Sequence, residues 1–357
     1  MKRKRVEGLI ESCERKGLDA FFVTREPNIF YFAGTISGGI FILSPDEEPT
    51  LLVPSLNHSI AEDQAEDVEV KSFTRQNFLD LLTGICNELK PSAIGFDELS
   101  LGLYQNLEKK LEKVELKSEP DLIWEMRKVK DNYETRLMEK AAELSDLGME
   151  AIRQFLREGA REHEVAAEAT YAMRRDGAED ISFPFIVASG PRSAYPHAGV
   201  TDRKIRRGDF VTIDMGAKYN NYCSDLTRTF IVGSPSKKKR LIYETVLEAQ
   251  NDAFPEILEN AKGPDVDKVA RTIIEEKGYG KFFIHSLGHG VGLEVHEPPS
   301  LSEKSEDILV AGNMVTDEPG IYIPRFGGVR IEDLVLVTDS APKRLTKFDR
   351  ELDSIII

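Results

Sequence analysis

Cysteine is scarce in this chain. Cys13, Cys86 and Cys223 are scattered, odd in number and share no CxxC spacing. That usage excludes a disulfide framework and a thiolate zinc site, and it fits reduced thiols in a cytoplasmic protein. Positive charge is also in deficit: 47 Lys and Arg face 62 Asp and Glu, a formal net charge of −15. A broad phosphate-binding face would stand against the molecule's own field, so no nucleic-acid partner is expected. The one concentrated basic run, Met1-Lys2-Arg3-Lys4-Arg5, is followed by Glu7, Glu11, Glu14, Arg15 and Lys16. It reads as a solvated first helix, not as the start of a signal peptide. No stretch approaches the roughly 18 uninterrupted apolar residues that a membrane span needs, so no membrane partner is expected.

What the sequence does contain is core-forming material for two domains. It has 357 residues, 41% of them apolar and 31% charged, against roughly 100–200 residues for an ordinary domain. Strand-length apolar runs at 20–23, 29–32, 40–43 and 50–53 open the chain, the last two joined by a turn-rich stretch at 44–49 and read as a hairpin. Helical patterns at 78–89 and 103–111 alternate with strand-like 93–96 and 114–116, so residues 1–122 are expected to form an α/β domain. A second domain is expected over 123–357. It starts with amphipathic helices at 133–156 and 162–175, stopped by Gly159 and Gly177. Strands at 183–188, 210–215 and 227–232 follow, then helices at 237–258 and 265–277, then mostly strand and loop.

An internal echo places carboxylates in this second domain. Gly208-Asp209-Phe210-Val211-Thr212-Ile213-Asp214-Met215-Gly216 aligns with Gly312-Asn313-Met314-Val315-Thr316-Asp317-Glu318-Pro319-Gly320, four of the nine positions being identical. Each copy has an acid at its seventh place and a second acid downstream, Asp225 after Asp214 and Glu332 after Glu318, at spacings that suit paired strands. Acids in such apolar company need a partner, since desolvated carboxylates are costly and several together cannot all stay ionised. A divalent cation supplies one.

Three of the six histidines, His285, His289 and His296, fall in one Gly-rich segment. The 285/289 spacing imitates HExxH, but Ser286 stands where the glutamate must be, and the glycines weaken a helix there. Gly288, Gly290 and Gly292 lack the GxGxxG spacing of a dinucleotide loop and read as points where backbone approaches a crowded site. His58 and His163 read as ordinary structural donors.

The series Tyr195-Pro196-His197, Ile213-Asp214-Met215-Gly216, Ser224-Asp225-Leu226-Thr227-Arg228-Thr229, Gly288-His289-Gly290-Val291-Gly292, Glu318-Pro319-Gly320 and Arg330-Ile331-Glu332-Asp333 resembles the motif series of the pita-bread metallopeptidases. The resemblance covers the C-terminal two-thirds closely. The preceding α/β domain is similar to that of prolidase, aminopeptidase P and creatinase, which points to the proline-specific branch. The fold implied is an N-terminal creatinase/prolidase-type α/β domain followed by a C-terminal pita-bread α+β catalytic domain.

The resemblance also implies two divalent metal ions, with Asp214 and Asp225 on one, His289 and Glu318 on the other, and Asp225 and Glu332 bridging. An oxygen-rich set with one imidazole favours Mn²⁺, Co²⁺ or Fe²⁺ and is compatible with Zn²⁺. Four carboxylates would balance two such ions in charge. Glu318 is the candidate for proton transfer, His296 for polarising the carbonyl or intermediate, and His197 for positioning it. Arg330 is a candidate for a substrate carboxylate. Asp333 is expected to face away from the metals, solvated or bridged to a neighbour such as Arg330. Asp317 stands where relatives often have an aliphatic residue.

The expected substrates are proline-containing peptides, and a homodimer is implied. Prolidases carry an arginine shortly after the second histidine, whereas His296-Glu297-Pro298-Pro299-Ser300 has none. The expectation is therefore Xaa-Pro aminopeptidase activity, with strict Xaa-Pro dipeptidase (prolidase) activity as the alternative. A metal-free peptide-binding protein of the same fold is the alternative of another class.

Overall fold

The computed structural model describes residues 2–45 and 47–357; Met1 of the basic run and Asp46 of the turn at 44–49 lie outside the described residues. The chain divides into two compact units, Met1–Arg127 and Lys128–Ile357, and each is treated by itself.

The first unit runs α1 Lys2–Lys16, β1 Ala20–Val23, α2 Glu26–Ala33, β2 Ile40–Leu43, β3 Thr50–Pro54, α3 His58–Gln64, β4 Glu69–Phe73, α4 Phe78–Leu89, β5 Ala93–Phe96, α5 Leu101–Lys110, β6 Glu115–Ser118 and α6 Asp121–Arg127. Its strands form a mixed sheet in the order β4-β3-β2-β1-β5-β6, in which β2 and β3 are the expected hairpin. The boundary falls after 127, not 122, because α6 packs on α1 and Tyr31 Oη donates to the Met126 carbonyl at 3.3 Å.

Residues 29–32, expected as a strand, are instead part of α2. A short apolar run does not distinguish a buried strand from a buried helix by its period. Pro27 in the first turn, Gly34 in the left-handed conformation at the C-cap, and the buried Asp97 carboxylate, which accepts from Thr24 N at 2.8 Å and Arg25 N at 3.2 Å, close the segment as a helix.

The second unit begins with α7 Asn132–Phe155 and α8 Glu162–Arg175. A capping box opens α7: Asp131 Oδ1 accepts from Tyr133 N at 2.7 Å and Glu134 N at 2.9 Å, and Glu134 Oε2 accepts from Asp131 N at 3.0 Å. Such a cap contributes about 1 kcal/mol. The strands β7 Asp180–Ile181, β8 Ile186–Ser189, β9 Phe210–Met215, β10 Ala217–Tyr219, β11 Tyr222–Cys223 and β12 Leu226–Ile231 follow, then α9 Lys237–Ala253 and α10 Gly263–Glu276. The unit closes with β13 Gly288–Gly290, β14 Glu297–Leu301, β15 Met314–Asp317, β16 Gly320–Ile323, β17 Gly327–Arg330, β18 Asp333–Leu336 and β19 Lys343–Arg344.

Two antiparallel pairs carry the internal echo. In one, β9 pairs with β12 so that Asp214 lies opposite Thr227; in the other, β15 pairs with β18 so that Asp317 lies opposite Asp333. An antiparallel bridge between Thr227 and Glu332 joins the two pairs. Behind them, Ile152, Met173, Ile213, Phe230, Tyr243, Val246, Val315 and Val335 share one core and are fully buried. Each such large side chain contributes roughly 1.5–3 kcal/mol, so the strands that present the acids are held by packing on both faces. The three cysteines are free and buried, and burial pushes the Cys13 and Cys86 thiols up to about 12 and Cys223 up to about 11.

Candidate metal centre

Strand geometry delivers the acids to one place. Asp214 ends the inward-facing series Phe210, Thr212, Asp214 of β9, Asp225 stands just before β12, and Glu318 and Glu332 continue β15 and precede β18. Ligand atoms of Asp225, His289 and Glu332 lie within 4.8 Å of one another. His289 Nε2 is 3.2 Å from Glu318 Oε1 and 3.8 Å from Asp225 Oδ2. Asp214 is close enough to Asp225 for its charge to raise that carboxyl. Asp225, His289 and Glu332 thus form one group, with Glu318 beside His289 and Asp214 near Asp225.

Close backbone approach makes room for the imidazole. A Cβ on Gly288 would stand 2.0 Å from the Thr316 carbonyl oxygen, and one on Gly290 2.3 Å from that of Pro298. Glycine is required at both places, as the crowding reading of this segment expects. His289 Nδ1–H donates to the Gly290 carbonyl at 3.0 Å, which fixes the tautomer and leaves Nε2 facing the acids.

The electrostatics are those of a buried acid cluster. Burial, then the charges of Glu332, Asp214 and Glu318, push Asp225 well above the ordinary carboxylate range. Burial first, then Glu318 and Asp214, does the same to Glu332. Asp214 is raised by burial in spite of Arg330. Burial favours the neutral form of Glu318 too, but the hydrogen bond and charge of His289 outweigh it and bring this carboxyl down to about 2. Burial lowers His289, and its bond to Glu318 more than reverses that, leaving it raised. Two buried carboxylate oxygens, Asp214 Oδ1 and Asp225 Oδ1, have no hydrogen-bond partner. Orphaned, desolvated oxygens beside an imidazole nitrogen suit divalent cations, which supply the missing positive charge.

Supporting side chains were not among the expected residues. Thr227 Oγ1 donates to Glu332 Oε2 at 2.5 Å, and Thr316 Oγ1 donates to Glu318 Oε1 at 3.0 Å while accepting from His289 N at 3.0 Å. Each threonine lies two residues from a ligand, Asp225 or Glu318, on the same strand face, which is the signal that would have found them. Tyr322 Oη accepts from Arg330 Nη1 at 2.8 Å and lies 2.9 Å from His285 Nε2. His285 is held below the ordinary histidine value by burial.

Two expectations are corrected. Arg330 is not free to meet a substrate carboxylate: it is 3% exposed, and its guanidinium is used on Asp214 Oδ2 at 2.5 Å, Thr227 Oγ1 at 3.1 Å, Tyr322 and the Pro196 carbonyl. Asp333 does face away from the centre, but it is buried, not solvated, and its partner is Arg228 at 2.7 Å, not Arg330. Asp317 opposes it, fully buried, with neither carboxylate oxygen hydrogen-bonded. His296 is exposed, with its ring 4.2 Å from that of His289. His197 is exposed and lies near enough to His285 and His296 to be felt electrostatically by both.

Residues 136–339 match the model of metallopeptidase family M24, and residues 5–129 match the creatinase/prolidase N-terminal domain. The chain belongs to metallopeptidase family M24. This M24 protein is 43% identical over 352 residues to the Xaa-Pro dipeptidase of Pyrococcus furiosus, covering 98% of this chain and 99% of the relative. Its structure is similar to the prolidase from Pyrococcus horikoshii, with a TM-score of 0.93, 42% identity and coverage of 98% and 99% of the two chains. It is also similar to an X-Pro aminopeptidase from Thermotoga maritima, with a TM-score of 0.92, 36% identity and coverage of 99% of each chain. The fold of this M24 protein is therefore the expected creatinase-type N-terminal domain followed by a pita-bread domain.

Proposed function

We propose that this M24 peptidase uses two divalent ions to hydrolyse the bond before proline in Xaa-Pro substrates, with dipeptides as its preferred class. The observation that carries the reading is the convergence of Asp225, His289 and Glu332 within 4.8 Å, beside partnerless oxygens of Asp214 and Asp225. Asp214 and Asp225 would hold one ion, His289 and Glu318 the other, with Asp225 and Glu332 shared; Mn²⁺, Co²⁺ or Fe²⁺ fits this donor set best. The ions supply, when bound, the Lewis acidity that makes water a nucleophile near neutral pH.

The protein's own groups do the rest. The Xaa-Pro bond is a tertiary amide, so it offers no N–H to grip, and its ring nitrogen must be protonated as it leaves. Glu318 takes the proton of the attacking water and passes it on, with Thr316 holding its Oε1. Burial and the neighbouring His289 hold His296 below the ordinary histidine value, so it is neutral at pH 7 and donates to the substrate carbonyl. His197 positions that carbonyl.

The relatives named dipeptidase and prolidase favour the dipeptide reading. Two observations favour a second reading as an Xaa-Pro aminopeptidase: His296-Glu297-Pro298-Pro299-Ser300 contains no arginine to hold a dipeptide's carboxylate, and the Thermotoga maritima aminopeptidase is similar over 99% of its length. Turnover of an Xaa-Pro dipeptide and an Xaa-Pro-Xaa tripeptide, each with Mn²⁺ and with EDTA, separates them. Metal-dependent dipeptide cleavage is expected. Tripeptide cleavage alone would move the assignment to aminopeptidase, and no stoichiometric metal with an unaffected His289→Ala variant would move it to metal-free peptide binding. A homodimer in the cytoplasm belongs to the same proposal, and light scattering on the purified protein tests the dimer.

A further inference from the structure

The pita-bread unit contains a buried ion pair that the chemistry above does not use. Lys130 Nζ lies 3.2 Å from Glu297 Oε2, and each side chain is 1% exposed. Glu297 is the residue after His296, and it opposes Gly290, the residue after His289, where β13 and β14 pair. The pair therefore sits at the base of the loop 291–296, which ends on His296 and follows the β13 strand that carries His289.

The loop is wrapped around the Glu297 carboxylate. Glu297 Oε1 accepts from Glu294 N at 3.0 Å, and Gly292 N donates to the Glu294 carbonyl at 2.9 Å. Gly292 presses so closely that a Cβ there would stand 2.6 Å from Glu297 Oε2. Cys223 N donates to the Gly292 carbonyl at 2.7 Å, tying the loop to the strand that leads into Asp225. Lys130 is anchored in turn, its own N–H donating to the Gly312 carbonyl at 2.9 Å.

A buried ion pair is a weak source of net stability, yet halving one is strongly destabilising. Its directional bonds can nevertheless select one loop conformation, which an apolar pair of equal volume cannot do, and here such a pair would also leave Glu294 N–H without its acceptor. We propose that Lys130 and Glu297 are positioning residues: their ion pair holds the 291–296 loop in the shape that sets the His296 ring against His289. This rests on the peptidase reading of the centre, because it assigns the pair to the placement of a proposed catalytic imidazole.

The test compares wild type, Lys130→Met, Glu297→Gln and the double variant, all loaded with Mn²⁺, by metal content, steady-state kinetics on an Xaa-Pro dipeptide, and amide hydrogen exchange. Lys130→Met removes the buried ammonium beside the Glu297 carboxylate. It is expected to keep its metal, lose about thirtyfold in kcat with KM changed less than about threefold, and exchange the 291–296 amides about tenfold faster. The double variant, with no unpaired charge but no ionic tether, is expected between wild type and Lys130→Met in both readouts. A merely structural role would lower the melting temperature and leave kcat and loop exchange unchanged below it. A double variant indistinguishable from wild type in kcat and loop exchange overturns the proposal, even where a single variant fails to fold. A wild type that cleaves no Xaa-Pro peptide defeats the peptidase reading instead, while the loop exchange still reports on the pair.

Discussion

His289 Nε2 faces Glu318 Oε1 at 3.2 Å, and the two groups hold each other's charge: the histidine is raised and the glutamate is brought down to about 2. The nitrogen that would coordinate a cation therefore carries a proton in the metal-free protein at mildly acidic pH. Metal and proton compete for it, and also for Asp225 and Glu332, which burial and mutual repulsion keep protonated. Titration of Mn²⁺ into EDTA-treated and desalted protein is expected to release protons, seen as a calorimetric heat that depends on the buffer's ionisation enthalpy. Identical heats in phosphate and Tris near pH 6 would contradict this.

Arg330 holds Asp214 Oδ2 at 2.5 Å while also meeting Thr227, which bonds Glu332. Its planar fork serves several acceptors at once, a geometry that an ammonium cannot copy. Arg330→Lys is expected to weaken metal binding about 10- to 100-fold. Competition with a fluorescent chelator measures it, and unchanged affinity would mean that Asp214 needs no such support.

Stability of the metal-free protein should fall as pH rises. Asp214, Asp225, Glu332 and His289 all have folded values above their ordinary ones. Such groups bind protons more tightly in the folded chain, so their contribution is complete below the unfolded values and is lost as pH climbs through the folded ones. Glu318 acts in the opposite sense, but its transition lies between the ordinary 4.5 and about 2, below this window. Melting temperature in EDTA is thus expected to drop as pH rises above the ordinary carboxylate range, and in Mn²⁺ to drop much less. A flat EDTA profile would refute the charge assignment.

Asp317 offers a separate stability test. Burial drives its carboxyl well above the ordinary range, Arg344 notwithstanding, and neither oxygen is hydrogen-bonded. Asp317→Asn removes the charge at constant shape. The variant is expected to gain about 1–2 kcal/mol near pH 7 and much less near pH 4, where the unfolded chain's aspartate is itself largely protonated. Urea denaturation at both pH values checks it.

The candidate ligands were picked out in the sequence for local reasons. Asp214 and Glu318 occupy one position of a nine-residue echo, Asp225 and Glu332 follow at hairpin spacing, and the glycines around His289 mark close backbone approach. The surroundings of Arg330 were not legible, because its partners Asp214, Thr227, Tyr322 and Pro196 come together only when separate strands pack. Alternation gave Asp333 its direction but could not say that Arg228 would be waiting in the interior. In the first unit, 29–32 misled because four consecutive apolar residues satisfy either period; Pro27 and Gly34 mark the helix ends locally, while the Asp97 carboxylate that receives its N-terminal side is distant in sequence.

The bridge between Thr227 and Glu332 joins the two strand pairs that present the acids. During synthesis Asp214, Asp225, His289 and Glu318 emerge one after another, none with the full set of neighbours needed to retain a cation. A cation site built from these residues would therefore be complete only where the segment around Glu332 lies against β12, a property of the finished architecture rather than of any one segment.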